Sequence, residues 1–235
     1  MRNTTVAGSD RHAEALRRAY PDALTAECGG DGWGILTYAD GPPESAKCPA
    51  CAQENLVARV EAFLPPRFAT PVDLPADAVA WMKRCADAAG GPVAGQAGIY
   101  FTGPVGTGKT HAAWHAVAGW CMATGTDPGQ GVIVTRMTDL LDDLRPGDDS
   151  RQRVRDCQAV PLLVLDDVGA EKASEWTQER LYTIVDHRYA ACLPLIVTSN
   201  LPPAALDTTT GERVASRFAE MCAVIPMTGS DRRKP

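Results

Sequence analysis

Hydrophobic and polar positions follow different patterns in the two parts of the chain. Before residue 96, helical periodicity ended by proline or glycine predicts helices over residues 9–20, 53–63 and 76–89. A glycine-rich segment over 28–51 carries cysteines at both ends, and the turn-forming residues of 67–75 are typical of a linker. We therefore predict a small helical module with a cysteine-containing segment, followed by a linker and one further helix.

From residue 96 onward, short apolar runs alternate with helical stretches. The predicted strands cover residues 98–102, 131–135, 162–165, 195–198 and 223–227. The predicted helices cover residues 109–124, 138–144, 151–158, 174–191 and 211–221. Strands with so few polar positions belong to a sheet covered on both faces, and regular alternation with helices favours parallel pairing. The pattern predicts an α/β fold with a five-stranded, mostly parallel sheet.

Composition agrees with this organisation. The 235 residues are 45% hydrophobic and 22% charged, which is ordinary for a globular protein and sufficient for one full domain with a small annex. We assign an N-terminal module to residues 1–66, a linker and helix to 67–95 and the α/β domain to 96–235. The chain lacks a run of about 18 apolar residues and a signal-peptide core at its start. We therefore expect a cytoplasmic protein without a membrane partner.

Net charge excludes one class of function. Acidic groups outnumber basic ones by 29 to 23, which gives a net charge of −6. A constitutive binder of duplex DNA carries a basic excess instead. Any contact with nucleic acid is therefore expected to be local, weak or dependent on assembly.

A complete phosphate-binding motif, Walker A, follows the first predicted strand of the α/β domain. It matches the pattern G-x-x-x-x-G-K-S/T and consists of Gly103, Pro104, Val105, Gly106, Thr107, Gly108, Lys109 and Thr110. Glycines let such a loop turn its backbone N–H groups toward phosphate oxygens, and the following helix adds its positive N-terminal end. We expect Lys109 to contact the β- and γ-phosphates of ATP and the Thr110 hydroxyl to bind Mg²⁺.

Two carboxylates follow the apolar strand at 162–165. Asp166 and Asp167 are predicted at the carboxyl edge of the sheet, where open α/β sheets bind their ligands. We expect Asp166 to hold Mg²⁺ through water and Asp167 to orient or deprotonate the attacking water. The alternative is an exposed acidic turn.

The next apolar strand ends in Thr198-Ser199-Asn200. Asn200 is a candidate to hydrogen-bond the γ-phosphate or the attacking water.

Two arginines on one predicted helix are candidates for contacting the nucleotide of a neighbouring subunit. Arg213 and Arg217 are four residues apart and so lie on one helix face. Either is a candidate arginine finger, which stabilises the charge of the transition state from a neighbouring subunit. The alternative is a pair of surface arginines bound to Glu212 or Glu220.

These residues together resemble the AAA+ ATPases of the DnaC/IstB group. The resemblance rests on the motifs above, on the run from Trp176 to Tyr189 and on Ser216-Arg217-Phe218. It implies ATP-dependent loading of a ring-shaped, DnaB-type replicative helicase onto single-stranded DNA, with self-assembly in the ATP-bound state. It also implies that Arg217 is the finger, that the N-terminal module binds the helicase and that the small helical lid of most AAA+ proteins is absent.

Other functions remain open at this point. A transposase-assisting ATPase of the IstB kind shares the core motifs, whereas the cysteine module and the ending at 229–233 favour the loader. An adaptor that binds ATP without hydrolysing it is a third interpretation. Many AAA+ enzymes have Asp-Glu where this chain has Asp166-Asp167, so Glu171 is a substitute candidate for the catalytic base.

Four arginines lie between the predicted strands at 131–135 and 162–165. They are Arg145, Arg151, Arg153 and Arg155. Arginine contacts phosphates and stacks on bases, and the resemblance implies that a helix in this region contacts single-stranded DNA. Aspartates flank the run, so the alternative is a solvated helix of mixed charge.

Three of the eight cysteines have the spacing of a metal site. Cys48 and Cys51 form a Cys-x-x-Cys pair, and Cys28 lies upstream in the glycine-rich segment. Three thiolates leave Zn²⁺ one ligand short. Four residues are candidates for the fourth ligand: His12, Glu27, Asp31 and Cys85. The alternative is a metal-free knuckle held by the packing of Trp33.

Overall fold

The chain forms two compact units, Met1–Ala62 and Phe63–Pro235. The structure is a computed structural model that describes residues 6–88, 91–147, 149–170 and 173–229. The segment predicted as a linker and helix, 67–95, falls within the second unit.

The first unit combines two helices with a small antiparallel sheet. Its elements are α1 (Val6–Ala19), β1 (Thr25–Cys28), β2 (Trp33–Thr37), β3 (Glu44–Lys47) and α2 (Pro49–Phe63). The strands pair in the order β1-β2-β3, and both pairs are antiparallel. Alternate residues of β1 and β2 are buried. They form a core with Leu16 of α1 and with the three cysteines of the predicted metal site.

The sequence pattern identifies the helices of the first unit but not its three strands, which the structure adds. Gly30 and Gly32 have φ values of 87° and 101°, so this glycine-rich run forms the tight connection between β1 and β2. Each strand has only four or five residues. Such short strands give too few alternating positions for a recognisable period of two.

Five parallel strands form the centre of the second unit. They are β4 (Gly98–Thr102), β5 (Val132–Arg136), β6 (Leu162–Val168), β7 (Leu195–Ser199) and β8 (Cys222–Pro226). Their order is β5-β6-β7-β4-β8, and every neighbouring pair is parallel. The predicted α/β fold with a five-stranded parallel sheet is therefore confirmed. The carboxyl ends of all five strands lie at the same edge of the sheet.

Helices cover both faces of this sheet. They are α3 (Ala76–Asp87), α4 (Lys109–Thr124), α5 (Pro128–Gly131), α6 (Met137–Asp143), α7 (Ser150–Ala159), α8 (Glu175–Ala190), α9 (Asp207–Thr210) and α10 (Glu212–Met221), with 3₁₀ turns at Pro66–Phe68 and Pro203–Ala205. Tyr100 of β4 packs in one cluster with Phe218 of α10. Its neighbours Ile99 and Phe101 are also fully buried. Because successive strand residues point to opposite faces, both faces of the sheet are covered.

The residues predicted as a linker are fixed to α4. Phe68 stacks on Trp114 of α4, with ring centroids 6.1 Å apart. The Nε2 atom of His115, also on α4, donates a hydrogen bond to the Phe68 carbonyl at 2.9 Å. In α3, Trp81 is fully buried and donates to the Ala97 carbonyl at 2.7 Å. These aromatic contacts make residues 63–95 part of the second unit and not a free connection.

A buried arginine ties α8 to the segments that precede two central strands. Arg188 is fully buried. Its guanidinium donates to the main-chain carbonyls of Cys157, Val160, Pro161 and Pro194. Burial lowers the pKa of Arg188 to about 10, so the side chain is still charged at neutral pH. A cation at the C-terminal end of α7 is also favoured by the helix dipole.

Candidate functional site

The phosphate-binding loop connects β4 to α4 at the carboxyl edge of the sheet. Three of its glycines have positive φ, with values of 147° at Gly103, 85° at Gly106 and 92° at Gly108. L-residues rarely adopt this conformation. A Cβ atom at Gly103 would also collide with the Met227 carbonyl. The loop therefore needs glycine at these positions for a conformational reason, before any ligand is considered.

The ammonium group of Lys109 lies within this loop. Its Nζ donates to the carbonyls of Gly103 at 2.8 Å and Pro104 at 2.7 Å. Lys109 is 8% exposed and begins α4. A buried cation at the positive end of a 16-residue helix creates a site that favours an anion.

Asp166 connects three elements through one carboxylate oxygen. Its Oδ1 accepts hydrogen bonds from Thr110 Oγ1 of α4 at 2.9 Å and from Thr198 Oγ1 of β7 at 2.7 Å. The structure thus brings the two predicted metal residues, Thr110 and Asp166, into contact. Hydroxyl and carboxylate oxygens are the hard ligands that Mg²⁺ prefers, so these residues fit a magnesium ion beside the loop.

The pairing of β6 with β7 shifts at the two carboxylates. Between the paired positions 165/197 and 168/199, Asp166 and Asp167 oppose the single residue Thr198, which is a β-bulge. Asp167 has a φ of 60°, and its N–H donates to Thr198 Oγ1 at 2.9 Å. Aspartate enters this left-handed region more readily than most residues. The bulge gives the carboxylates different surroundings, because Asp166 is half-buried and Asp167 is exposed.

Thr198 is the site residue that the sequence analysis missed. Its hydroxyl contacts both Asp166 and the backbone of Asp167, so it positions the two carboxylates. The available signal was its place at the end of the strand beside β6, but the sequence favoured Asn200. Asn200 follows β7 and is exposed. Ser199 is fully buried and donates to the Val168 carbonyl at 2.6 Å.

Both candidate finger arginines contact α8 in their own chain. Arg217 Nε donates to Asp186 Oδ1 at 2.9 Å. The Arg217 guanidinium also lies 3.7 Å from Glu220 Oε2, as in the alternative of surface pairing. Arg213 is exposed, and its guanidinium lies 3.5 Å from the centre of the Tyr182 ring. These contacts hold α10 against α8.

Hydrogen bonds shift the pKa values within this α8–α10 contact. The bonds from Arg217 and Tyr182 lower the pKa of Asp186. The bond from Tyr189 lowers the pKa of Glu220. Asp186 in turn raises the pKa of Arg217. The carboxylates and the guanidinium are therefore all charged at neutral pH.

Three of the four arginines predicted to contact nucleic acid have partners nearby in the chain. These pairs are Arg145 with Asp142 at 2.9 Å, Arg153 with Asp143 at 3.0 Å and Arg155 with Gln152 at 2.6 Å. Arg151 instead lines a surface cavity of about 390 Å³ together with Trp176 and Arg180. The Arg180 guanidinium lies 4.5 Å from the centre of the Trp176 ring. The structure therefore distinguishes Arg151 from the other three.

Among the remaining predicted site residues, the structure brings the metal-site candidates together but does not describe the substitute base. The structure brings Cys28, Cys48 and Cys51 together in the core of the first unit, with His12 beside them. The substitute base Glu171 lies outside the described residues.

Comparison with known proteins identifies the family. The family described as "IstB-like ATP binding protein" matches residues 84–234. This range includes the phosphate-binding loop and the ends of β6 and β7. The chain belongs to the IstB-like ATP-binding protein family. The resemblance to the DnaC/IstB group of AAA+ ATPases is thereby confirmed.

The IstB-like chain is similar to proteins of two kinds. It is 34% identical over 111 residues to a putative ATP-binding protein in an insertion sequence of Mycobacterium tuberculosis, covering 45% of this chain and 41% of that protein. It is 27% identical over 127 residues to the replicative helicase loader DnaC of Escherichia coli, covering 52% of this chain and 50% of that protein. Each match thus spans half or less of the relative's length.

The fold of this IstB-like chain resembles that of a solved relative. The crystal structure of DnaI superposes with a TM-score of 0.55 at 23% identity, covering 74% of this chain and 100% of that one. At this identity the likeness concerns the fold alone. In the part of the chain that the structure describes, each helix is too short or too polar to cross a membrane.

Proposed function

We propose that this protein is a cytoplasmic ATPase that binds Mg²⁺-ATP at the loop of residues 103–110. The contact between Thr110 and Asp166 is the observation that carries this proposal, because it joins the phosphate loop to a metal-binding carboxylate. Lys109 exchanges its carbonyl partners for phosphate oxygens when ATP binds. Thr110 and Asp166 hold Mg²⁺, which neutralises phosphate charge when bound.

Hydrolysis requires a water molecule placed in line with the γ-phosphate. In this proposal Asp167 orients or deprotonates that water, and Asn200 hydrogen-bonds it or the γ-phosphate. Asp167 is suited to this role because it is exposed, whereas Asp166 is engaged by two hydroxyl groups. A general base typically contributes about 10²–10⁴-fold to a rate.

The task of this ATPase is to load a DnaB-type replicative helicase onto single-stranded DNA. Similarity to the helicase loader DnaC supports this proposal. The first unit, with its own sheet and core, is separate from the ATPase fold and is the part that contacts the helicase. A transposase-assisting role is the second candidate, favoured by similarity to the insertion-sequence protein. An adaptor that binds ATP without turnover is the third.

Single-stranded DNA is proposed to bind the cavity lined by Arg151, Trp176 and Arg180. Two guanidinium groups there can contact phosphates, and Trp176, which is 40% exposed, offers a ring on which a base can stack. Arg145, Arg153 and Arg155 are engaged by neighbouring side chains, so they contribute less.

The ATP-bound state is proposed to self-assemble, with Arg217 as the finger for the nucleotide of the next subunit. Arg217 must then exchange Asp186 for that nucleotide. The Arg217 side chain is 28% exposed and so lies at the surface where a neighbouring subunit can contact it.

A pull-down experiment tests the proposed partner. The full chain is immobilised and mixed with the replicative helicase of the same source or, in a parallel arm, with a transposase encoded beside an IstB-type gene. We expect the helicase to be retained more strongly with ATP than without it, and the transposase not to be retained. Retention of the transposase alone would support the second candidate. Binding of ATP without measurable turnover would support the adaptor.

A further inference from the structure

Four side chains with metal-binding atoms meet in the core of the first unit. Cys48 is fully buried, Cys51 is 3% exposed, His12 is 6% exposed and Cys28 is 8% exposed. His12 belongs to α1, Cys28 ends β1, Cys48 directly precedes α2 and Cys51 lies in its first turn. The fold, and not only local sequence, therefore brings these side chains together.

Two distances within the cluster are close to the edges of a tetrahedron around zinc. The Sγ atoms of Cys28 and Cys51 are 3.5 Å apart, and Cys51 Sγ lies 3.8 Å from His12 Nδ1. The ligating atoms of all three residues lie within 4.8 Å of one another. Zinc–sulfur bonds near 2.3 Å and zinc–nitrogen bonds near 2.0–2.1 Å place tetrahedral ligands about 3.5–3.8 Å apart.

Cys48 is the candidate for the fourth ligand. Its Sγ lies outside the group of three close ligand atoms but beside it, 3.9 Å from the His12 carbonyl oxygen. Cys48 directly precedes α2, and Cys51 is in its first turn. Both thiols therefore lie at the N-terminal end of one helix. The Gly30 N–H also donates to Cys28 Sγ at 3.4 Å.

The orientation of His12 is fixed by a carboxylate. His12 Nε2 lies 3.1 Å from Glu54 Oε1. Because a carboxylate only accepts, Nε2 carries the proton, and the lone pair of the neutral ring is then on Nδ1, which faces Cys51. A carboxylate bound to the outer nitrogen is the usual support of a metal-binding histidine.

The other candidates for the fourth ligand are placed elsewhere. Glu27 is exposed on the face of β1 opposite Cys28. Asp31 accepts a hydrogen bond from the Trp33 backbone N–H at 3.1 Å. Cys85 is buried in the second unit. Trp33 is 52% exposed, so the structure does not support a knuckle held by its packing.

We propose that Cys28, Cys48, Cys51 and His12 bind one structural Zn²⁺, with Glu54 as a positioning residue for His12. This inference rests on the first unit alone and does not depend on the proposed ATPase function. Because the ligands join α1, β1 and α2, metal binding contributes directly to the folding of this unit.

The metal content of the purified full chain tests the site. We expect elemental analysis to find about one zinc per chain, as a complete four-ligand site requires. Replacement by Co²⁺ should give the visible absorption of a tetrahedral site and sulfur-to-cobalt charge transfer. A folded chain that contains no zinc and shows neither cobalt signal would overturn the proposal.

Matched variants identify the ligands. Cys48→Ser and His12→Ala should each lose most of the zinc, whereas Cys85→Ser and His115→Ala, which change buried or partly buried residues of the second unit, should retain it. Equal zinc in ligand and control variants would contradict the assignment, as would equal loss in both.

Glu54→Ala, which removes the acceptor of the His12 N–H, covers the case in which ligand variants do not fold. The Glu54 side chain is 54% exposed, so its replacement leaves the core intact. We expect zinc affinity to fall by about 10–100-fold, the usual effect of removing a partner of a metal-binding histidine. Competition with a zinc chelator measures that affinity. An unchanged affinity would show that Glu54 does not position His12.

Discussion

Lys109 donates hydrogen bonds to two main-chain carbonyls of the phosphate-binding loop. Its removal deletes the cation that is proposed to contact the phosphates. Lys109→Ala should weaken Mg²⁺-ATP binding by at least about 100-fold, because each hydrogen bond to a charged group is worth about 1.5–3 kcal/mol. Calorimetric titration of ATP measures this loss. Lys83→Ala, an exposed change in α3, is the control. An unchanged ATP affinity in Lys109→Ala would refute the site assignment.

Asp167 should affect turnover without affecting ATP binding. Asp167→Asn preserves the size of the side chain and the backbone bond to Thr198. We expect ATP affinity to be retained and steady-state hydrolysis to fall at least tenfold, in line with the ~10²–10⁴-fold contribution of a general base. If turnover survives in Asp167→Asn and collapses in Glu171→Gln, the base is Glu171.

The sequence points to candidate residues for the site but not to their arrangement. Lys109, Thr110 and Asp166 are specified by motifs whose spacing follows from strand–loop–helix geometry. Thr198 contacts both aspartates because of the bulge between β6 and β7. Asp167 adopts positive φ for the same reason. The sequence pattern does not reveal such a bulge.

The elements of the two units differed in how well the sequence predicted them. β6 and β7 begin with the buried apolar runs Leu162–Leu165 and Leu195–Val197, which the sequence shows directly. β1 and β3 contain Thr25, Glu27, Glu44 and Lys47 and bury at most two residues each. Their pairing depends on glycine turns and on packing against α1, neither of which local periodicity detects.

Arg188 connects α8 to the segments that precede β6 and β7 through hydrogen bonds to main-chain carbonyls. Arg188→Lys keeps the charge but loses the planar guanidinium, whose several N–H groups donate to different carbonyls at once. We expect a loss of about 2–4 kcal/mol in the free energy of unfolding, because buried carbonyls would lose their donors. Urea denaturation measures it. Arg155→Lys, an exposed change on α7, should have little effect. Equal stability of the two variants would contradict this role.

At the scale of the assembled protein, stimulated ATP hydrolysis between neighbouring subunits is expected to depend on Arg217. Arg217→Ala should leave ATP binding by the isolated chain nearly intact and remove the ATPase activity gained on adding single-stranded DNA or helicase. Mixing it with Lys109→Ala should restore part of that activity, because each variant supplies what the other lacks. Asp186→Ala removes the partner of Arg217 within the chain and should retain the stimulation. A loss that is additive and independent of protein concentration would reject action between subunits.

Loading of the helicase is the most direct test of the proposed function. The measurement is displacement of an annealed oligonucleotide from closed circular single-stranded DNA, because a ring-shaped helicase can enter that substrate only if its ring is opened. With ATP and the replicative helicase present throughout, the wild-type chain should strongly increase displacement, and Lys109→Ala should not. Equal displacement without the chain, or with Lys109→Ala in its place, would contradict an ATP-dependent loader.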